Sequence, residues 1–268
     1  MGKNLNIIVL VKQVPDIERV KFDHEKGRLD RSSAGAITNP FDLNALEAAV
    51  QIKEKLTGTI TAISMGPKQA EETLRDTLAR GADRAILLSD AKFAGSDTLA
   101  TSYTLASAIK KLGAFDLVVC GEKTIDGDTA QVGPEVAELL GIPHVAYVEE
   151  LKAVKEDGIV VKSKIGNNYC VISLSFPSLI TVTKDANTPR LPTLKDKLRA
   201  RKTEITTWAA DDLADVAQTD RFGWSGSPTA VVKVYAALTE KRSAQIVEGT
   251  PEEMAKKIAS ILRSRGLK

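Results

Sequence analysis

Residues 121–133, Gly-Glu-Lys-Thr-Ile-Asp-Gly-Asp-Thr-Ala-Gln-Val-Gly, hold the densest set of groups able to grip an anion. Asp126-Gly127-Asp128 reads as a turn. Asp128 or Thr129 can then cap a helix whose apolar stripe is Val132, Val136, Leu139 and Leu140. Backbone N–H groups of Thr129, Ala130 and Gln131, free at the positive end of that helix, would seat a phosphate. The Thr129 hydroxyl and the Gln131 amide can donate to the same oxygens. A plain helix cap would use the same residues, so the loop gains meaning from its company. Two further polar or turn-rich clusters follow apolar runs: Val11-Lys12-Gln13-Val14-Pro15-Asp16 and Met65-Gly66-Pro67. Asn39-Pro40-Phe41-Asp42 stands before a long helical pattern. There Pro40 fixes the turn, Asp42 can cap, and Asn39 is either a turn residue or free to reach a base or ribose. Met65 suits either packing or contact with an adenine, and Lys12 either an anionic ligand or a surface ion pair.

Other chemistries are poorly supplied. The chain has two cysteines, Cys120 and Cys170, and two histidines, His24 and His144. That set makes neither a zinc site nor a disulfide framework. Cys120 closes an apolar run with no histidine nearby in sequence, and reads as core rather than nucleophile. No Gly-x-Gly occurs, so the dinucleotide fingerprint is missing, and so is the Gly-Lys-Ser/Thr of a P-loop. The net charge of +2 in 268 residues gives no general pull toward nucleic acid or membrane. A basic run of Lys195, Lys197, Arg199, Arg201 and Lys202 has no interleaved aromatics, and reads as a solvated face or a dock for an acidic partner. No apolar run approaches the ~20 residues of a membrane span. The opening Met-Gly-Lys-Asn lacks a leader pattern, so a cytoplasmic location is expected.

The elements that must position these groups follow from periodicity. Apolar, β-branched runs at 6–11, 59–64, 84–88 and 117–120 alternate with helical patterns at 43–55, 69–80 and 98–112. Gly58, Gly81 and Gly113 follow the helices where a left-handed residue is wanted. Strands apolar on both faces and separated by helices indicate a parallel sheet covered on both sides. After Gly141, runs at 145–148, 158–164, 170–175 and 179–183 are joined by the turn signals Glu156-Asp157-Gly158 and Gly166-Asn167-Asn168, which adds antiparallel strands. Periodicity lapses from 184 to 227, and Thr250-Pro251 starts a last helix striped by Met254, Ile258, Ile261 and Leu262. The expected fold is α/β: a doubly wound, mostly parallel sheet with antiparallel strands added and an extended C-terminal arm. The expected organisation is an α/β domain (1–184), an extended arm (185–228), and a C-terminal strand and helix (229–268). In such a sheet the ligand lies at the carboxyl ends of the strands, near the switch point.

Taken in order, these residues resemble the β subunit of electron transfer flavoproteins. The resemblance rests on residues 11–16, Asn39-Pro40-Phe41-Asp42, Met65-Gly66-Pro67, Arg80-Gly81-Ala82-Asp83, the run 126–133, and 187–194, Asn-Thr-Pro-Arg-Leu-Pro-Thr-Leu. It spans essentially the whole chain. It implies a heterodimer with a flavin-carrying α subunit, and a β fold of the adenine-nucleotide-binding type. The nucleotide- or flavin-binding domain (1–184) then holds AMP or a second FAD, with a partner-recognition loop and arm at 185–228. The family's nucleotide contacts fall here on the Leu10 backbone, on Asn39, Pro40, Phe41 and Asp42, and on Met65 with Gly66. They continue through Gly121 and the run Ile125, Asp126, Gly127, Asp128, Thr129, Ala130, Gln131, Val132, Gly133, Pro134, Glu135 and Val136. Lys12 becomes a candidate contact to the flavin or pyrophosphate. Leu194 falls on the family's partner-anchoring position, with Lys195, Lys197 and Arg199 beside it. Small Gly127 and Ala130 leave room past an AMP, so the resemblance leans toward the FAD-bearing, electron-bifurcating group. That group takes hydride from NADH. It passes one electron to ferredoxin or flavodoxin and the other, through the α-subunit FAD, to a dehydrogenase or reductase such as an acyl-CoA or enoyl-CoA reductase. The flavin carries the chemistry, and no side chain is needed as catalytic acid or nucleophile. An AMP-binding, non-bifurcating β subunit is the near alternative. A universal-stress-type nucleotide sensor would not need the segment 184–227, and an ATP-pyrophosphatase-like enzyme would want a Ser-Gly-Gly loop that the first strand lacks.

Overall fold

The structure is a computed structural model and describes residues 4–16, 21–23, 28–30, 35–230, 232 and 246–266. His24 and the strand expected ahead of the C-terminal helix lie outside the described residues. Two units divide the chain, residues 1–230 and 231–268.

Strand β1 (Leu5–Leu10) leads to two small antiparallel pairs: β2 (Gln13–Pro15) with β5 (Ala36–Thr38), and β3 (Lys21–Asp23) with β4 (Arg28–Asp30). Then come α1 (Pro40–Lys55), β6 (Gly58–Met65), α2 (Glu71–Arg80), β7 (Arg84–Leu88), α3 (Thr98–Leu112), β8 (Leu117–Gly121) and α4 (Val132–Leu140). Four strands follow: β9 (His144–Lys155), β10 (Gly158–Ile165), β11 (Asn168–Ser175) and β12 (Ser178–Val182). The first unit ends with α5 (Leu194–Lys202), β13 (Thr206–Trp208) and the single-turn α6 (Gly223–Gly226). The second unit holds α7 (Pro251–Ser264).

One nine-stranded sheet runs β11-β10-β9-β12-β8-β1-β6-β7-β13. It is parallel from β9 to β13, and β10 pairs antiparallel with both β9 and β11. β1 is followed by β6 on one side, yet β8 returns to its other side. The order therefore reverses between β1 and β8, and that is where a doubly wound sheet opens a crevice.

The alternation of β1 explains its place. Leu5, Ile7 and Val9 enter a core with Leu46, Ala49, Val50, Leu74 and Leu78 of α1 and α2. Ile8 and Leu10 enter the opposite core with Leu105 and Ile109 of α3 and Val136 of α4. From Ile7 to Leu10 both faces of the strand are dry, as an apolar run in a parallel sheet requires. The helices stop where expected at Gly81 (φ +126°) and Gly113 (φ +87°). Gly58 does not cap: α1 ends at Lys55 and Gly58 opens β6, where a Cβ would meet the Leu5 carbonyl oxygen at 2.9 Å. Residues 185–228 carry more regular structure than the lapse in periodicity suggests. α5 packs on α2, and β13 adds a parallel edge to β7. No helix among the described residues is long and apolar enough to cross a membrane.

Candidate functional site

The chain leaves β1 through Val11 and Lys12 and leaves β8 through Gly121, so these two exits form the lips of the crevice. α1 starts directly behind them. Its first turn carries Asp42, whose carboxylate is buried and accepts the Lys12 N–H at 2.8 Å and the Gly121 N–H at 3.2 Å. One side chain thus ties both strand ends to the helix. Burial pushes the Asp42 carboxyl up to about 7, against the lowering effect of those donors. Asp42 is not the helix cap expected from sequence. Asn39 holds that position, and its own side chain makes no cap bond either.

Asn39 is fully buried rather than free to reach a base or ribose. Its Nδ2 donates to the Lys123 carbonyl at 2.9 Å, and its Oδ1 accepts the Ile125 N–H at 3.3 Å. The residue secures the loop after β8, which is a correction to its expected role. The partner lies 84 positions on in sequence, beyond the reach of any local turn rule.

That loop turns tightly. The Asp128 N–H donates to the Thr124 carbonyl at 2.9 Å, and the Gly127 N–H to Thr124 Oγ1 at 3.3 Å. Asp128 and Ala130 both take left-handed backbone, at φ +52° and +55°. Two such residues in a row of three keep the chain out of helix, and α4 begins only at Val132 with Gln131 as cap. Neither Asp128 nor Thr129 caps it. The N–H groups at this end with no hydrogen-bond partner among the described residues are those of Thr129, Ala130, Gln131 and Val132; Pro134 has none, and Gly133 is buried against the sheet. Gly133 also lets the helix lie close to the sheet: a Cβ there would stand 2.6 Å from Thr181 Cγ2 and 2.9 Å from Cys120 Sγ. Gly121 is similarly confined, with Asp42 Oδ1 at 2.5 Å from a built Cβ.

Ion pairs complete the site. Lys12 Nζ lies 2.8 Å from Asp126 Oδ2, spanning the crevice from lip to lip, and Lys123 Nζ lies 2.7 Å from Asp128 Oδ1. Partial burial raises the Asp126 carboxyl, but Lys12 and Thr124 hold it below the usual range. Burial pushes the neighbouring Glu122 up. The Thr129 and Gln131 side chains are exposed or nearly so and make no hydrogen bond among the described residues. Met65 and Gly66 end β6 on the same edge of the sheet and are half-buried. Leu10 lies within the β ladder between Ile63 and Cys120. Burial pushes the Cys120 thiol far up, which suits packing and not attack.

Two expected contacts turn away. The Glu135 carboxylate accepts hydrogen bonds from Thr98 and Ser102 of α3, at 3.1 and 2.9 Å. The Val136 side chain is fully buried in the core. Conversely, Lys123 and Thr124 shape the loop although neither is singled out as a contact from the sequence. The donor set that remains suits a phosphate-bearing nucleotide: the backbone N–H groups of Thr129, Ala130, Gln131 and Val132, a hydroxyl, an amide and two lysines.

On α5, Leu194 is 74% exposed, flanked by Leu191 at 84% and Leu198 at 49%. The segment beneath is locked down. Arg190 meets buried Glu47 at 2.7 Å and Glu54 at 2.7 Å, and Asn44 Nδ2 donates to the Asn187 carbonyl at 2.8 Å. Arg199 is less free than Lys195 and Lys197, since it donates to the Leu78 carbonyl at 3.1 Å.

Comparison with known proteins accords with this geometry. A family model described as "Electron transfer flavoprotein domain" matches residues 26–213. The electron transfer flavoprotein subunit beta of Thermoanaerobacterium thermosaccharolyticum is 44% identical over 97% of this chain and 99% of its own length. That of Megasphaera elsdenii is 48% identical over 86% of this chain and 87% of its own. The caffeyl-CoA reductase-Etf complex subunit CarD of Acetobacterium woodii is 40% identical over 97% and 99%. With a family match across most of its length and relatives of full coverage, the chain belongs to the electron transfer flavoprotein family, among its β subunits.

Proposed function

We propose that this β subunit pairs with an α subunit and holds FAD in the β1–β8 crevice. The assembly takes hydride from NADH and divides the electrons between ferredoxin or flavodoxin and, through the α-subunit flavin, a partner reductase acting on an acyl- or enoyl-CoA. The observation that carries the reading is the form of the 121–133 loop. It leaves the N–H groups of Thr129, Ala130, Gln131 and Val132 and the side chains of Thr129 and Gln131 available to a phosphate, with small Gly127 beside them. The name of the A. woodii relative, a reductase–Etf complex subunit, supports a coenzyme-A-linked partner.

When bound, FAD supplies the hydride- and electron-accepting ring. The chain's own groups bind and orient. Helix-end N–H groups of α4 hold phosphate oxygens, Asn39 and Asp42 fix the loop that carries them, and Met65 closes the strand-end side. Leu194, with Lys195 and Lys197, docks the partner: an exposed leucine on a rigid base enters an apolar pocket, and the lysines meet an acidic rim.

The test uses the heterodimer co-produced with its α subunit. NADH should reduce ferredoxin only when an enoyl-CoA reductase and its substrate are also present. Failure of NADH to reduce any bound flavin, with electrons instead accepted from an acyl-CoA dehydrogenase, would replace this reading with that of an AMP-holding subunit.

A further inference from the structure

The crevice is unusually acidic for a place meant to hold phosphate. Lys12 and Lys123 stand on its two lips, and each is already engaged by a carboxylate of the same loop, Asp126 and Asp128 respectively. Asp42 lies buried beneath, and Glu122 is half-buried beside them. An entering phosphate must therefore share or displace an acid to reach either lysine. Every further phosphate charge meets the acids without gaining an unengaged lysine on the lips.

We propose that Asp126 and Asp128 determine ligand specificity by charge. They admit a nucleotide whose phosphates carry about two negative charges, as AMP and FAD do, and reject ATP, which carries about four. The inference rests on reading the crevice as an adenine-nucleotide site. The Lys12–Asp126 pair joins segments 114 positions apart, at the two lips themselves. These pairs are partly exposed and so individually weak. A ligand phosphate can exchange with them, and the discrimination grows with ligand charge rather than blocking all entry.

The test is binding of FAD, AMP and metal-free ATP to the heterodimer stripped of its nucleotide, at low salt, for the wild type and for Asp126→Asn with Asp128→Asn. Wild type should bind ATP at least about tenfold more weakly than AMP. The double variant should gain about tenfold for ATP and about threefold or less for AMP and FAD. Wild type itself offers a second measurement: raising salt should narrow the ATP-to-AMP gap, because screening weakens the repulsion. Equal affinity for ATP and AMP in the wild type would overturn the proposal, as would equal loss of all three ligands in the variant. Absence of binding by all three to the wild type would instead overturn the nucleotide reading beneath it.

Discussion

Asp42 and Gly121 are joined by a hydrogen bond of 3.2 Å from the Gly121 N–H to Asp42 Oδ1, while the second oxygen takes the Lys12 N–H at 2.8 Å. A single buried carboxylate on α1 therefore sets the spacing of the two strand ends that bound the crevice. Gly121 allows it, because a methyl group in its place would stand 2.5 Å from that same oxygen.

The Asp42 carboxyl is raised by burial from an ordinary 3.8 to about 7. Folding then favours its protonated form, so the folded chain holds more protons than the unfolded one between these values. Stability from this group is full below about 4 and is lost as pH rises through about 7. Wild type should lose stability relative to Asp42→Asn between pH 5 and pH 8, by an amount on the order of 1–3 kcal/mol. Thermal unfolding of both proteins across that range checks it; a pH-independent difference would contradict the assigned burial.

Gly121→Ala and Gly133→Ala should each destabilise by about 1–3 kcal/mol through overpacking. Their consequences differ. The first displaces the Asp42 carboxylate and should release bound nucleotide. The second pushes α4 off Thr181 and Cys120, and should lower the melting temperature more than it alters binding at moderate temperature. Equal melting temperatures for wild type and both variants would refute the close approaches.

Thr129→Ala combined with Gln131→Ala should weaken nucleotide retention by about 1–3 kcal/mol, at roughly 1 kcal/mol for each hydrogen bond removed. Both side chains are unbonded among the described residues, so the fold should not suffer. Unchanged cofactor content after dialysis would remove them from the phosphate site.

Leu194→Ala should slow electron delivery to the partner at low partner concentration while leaving flavin content intact. Glu47→Gln weakens the clamp on Arg190 from below. It should produce the same rise in KM for the partner with little change in kcat, because Arg190 anchors the chain four residues before Leu194. Equal partner KM values for wild type and Leu194→Ala would exclude that leucine from docking.

Much of the fold could be read from residue types because the relevant forces are local. β1 is apolar on both faces from Ile7 to Leu10, Gly81 and Gly113 sit where left-handed backbone ends a helix, and Glu156-Asp157-Gly158 turns one hairpin. α5 carries no local signal, because only Ala200 of its nine residues is buried and no apolar stripe forms. What pins it is long-range: Arg75 donates to the Ala200 carbonyl at 2.6 Å across 125 positions. The site followed the same division. The 121–133 run declared itself, but the use of Asn39 as a loop clasp, the late start of α4 and the Arg190–Glu47 lock depend on partners far away in sequence.

Whether the β1–β8 crevice holds FAD is decided by denaturing the heterodimer, purified with its α subunit, and separating the released nucleotides by chromatography. Two FAD and no AMP per heterodimer are expected. One FAD and one AMP would contradict that occupancy and leave this chain a scaffold for single-flavin electron transfer.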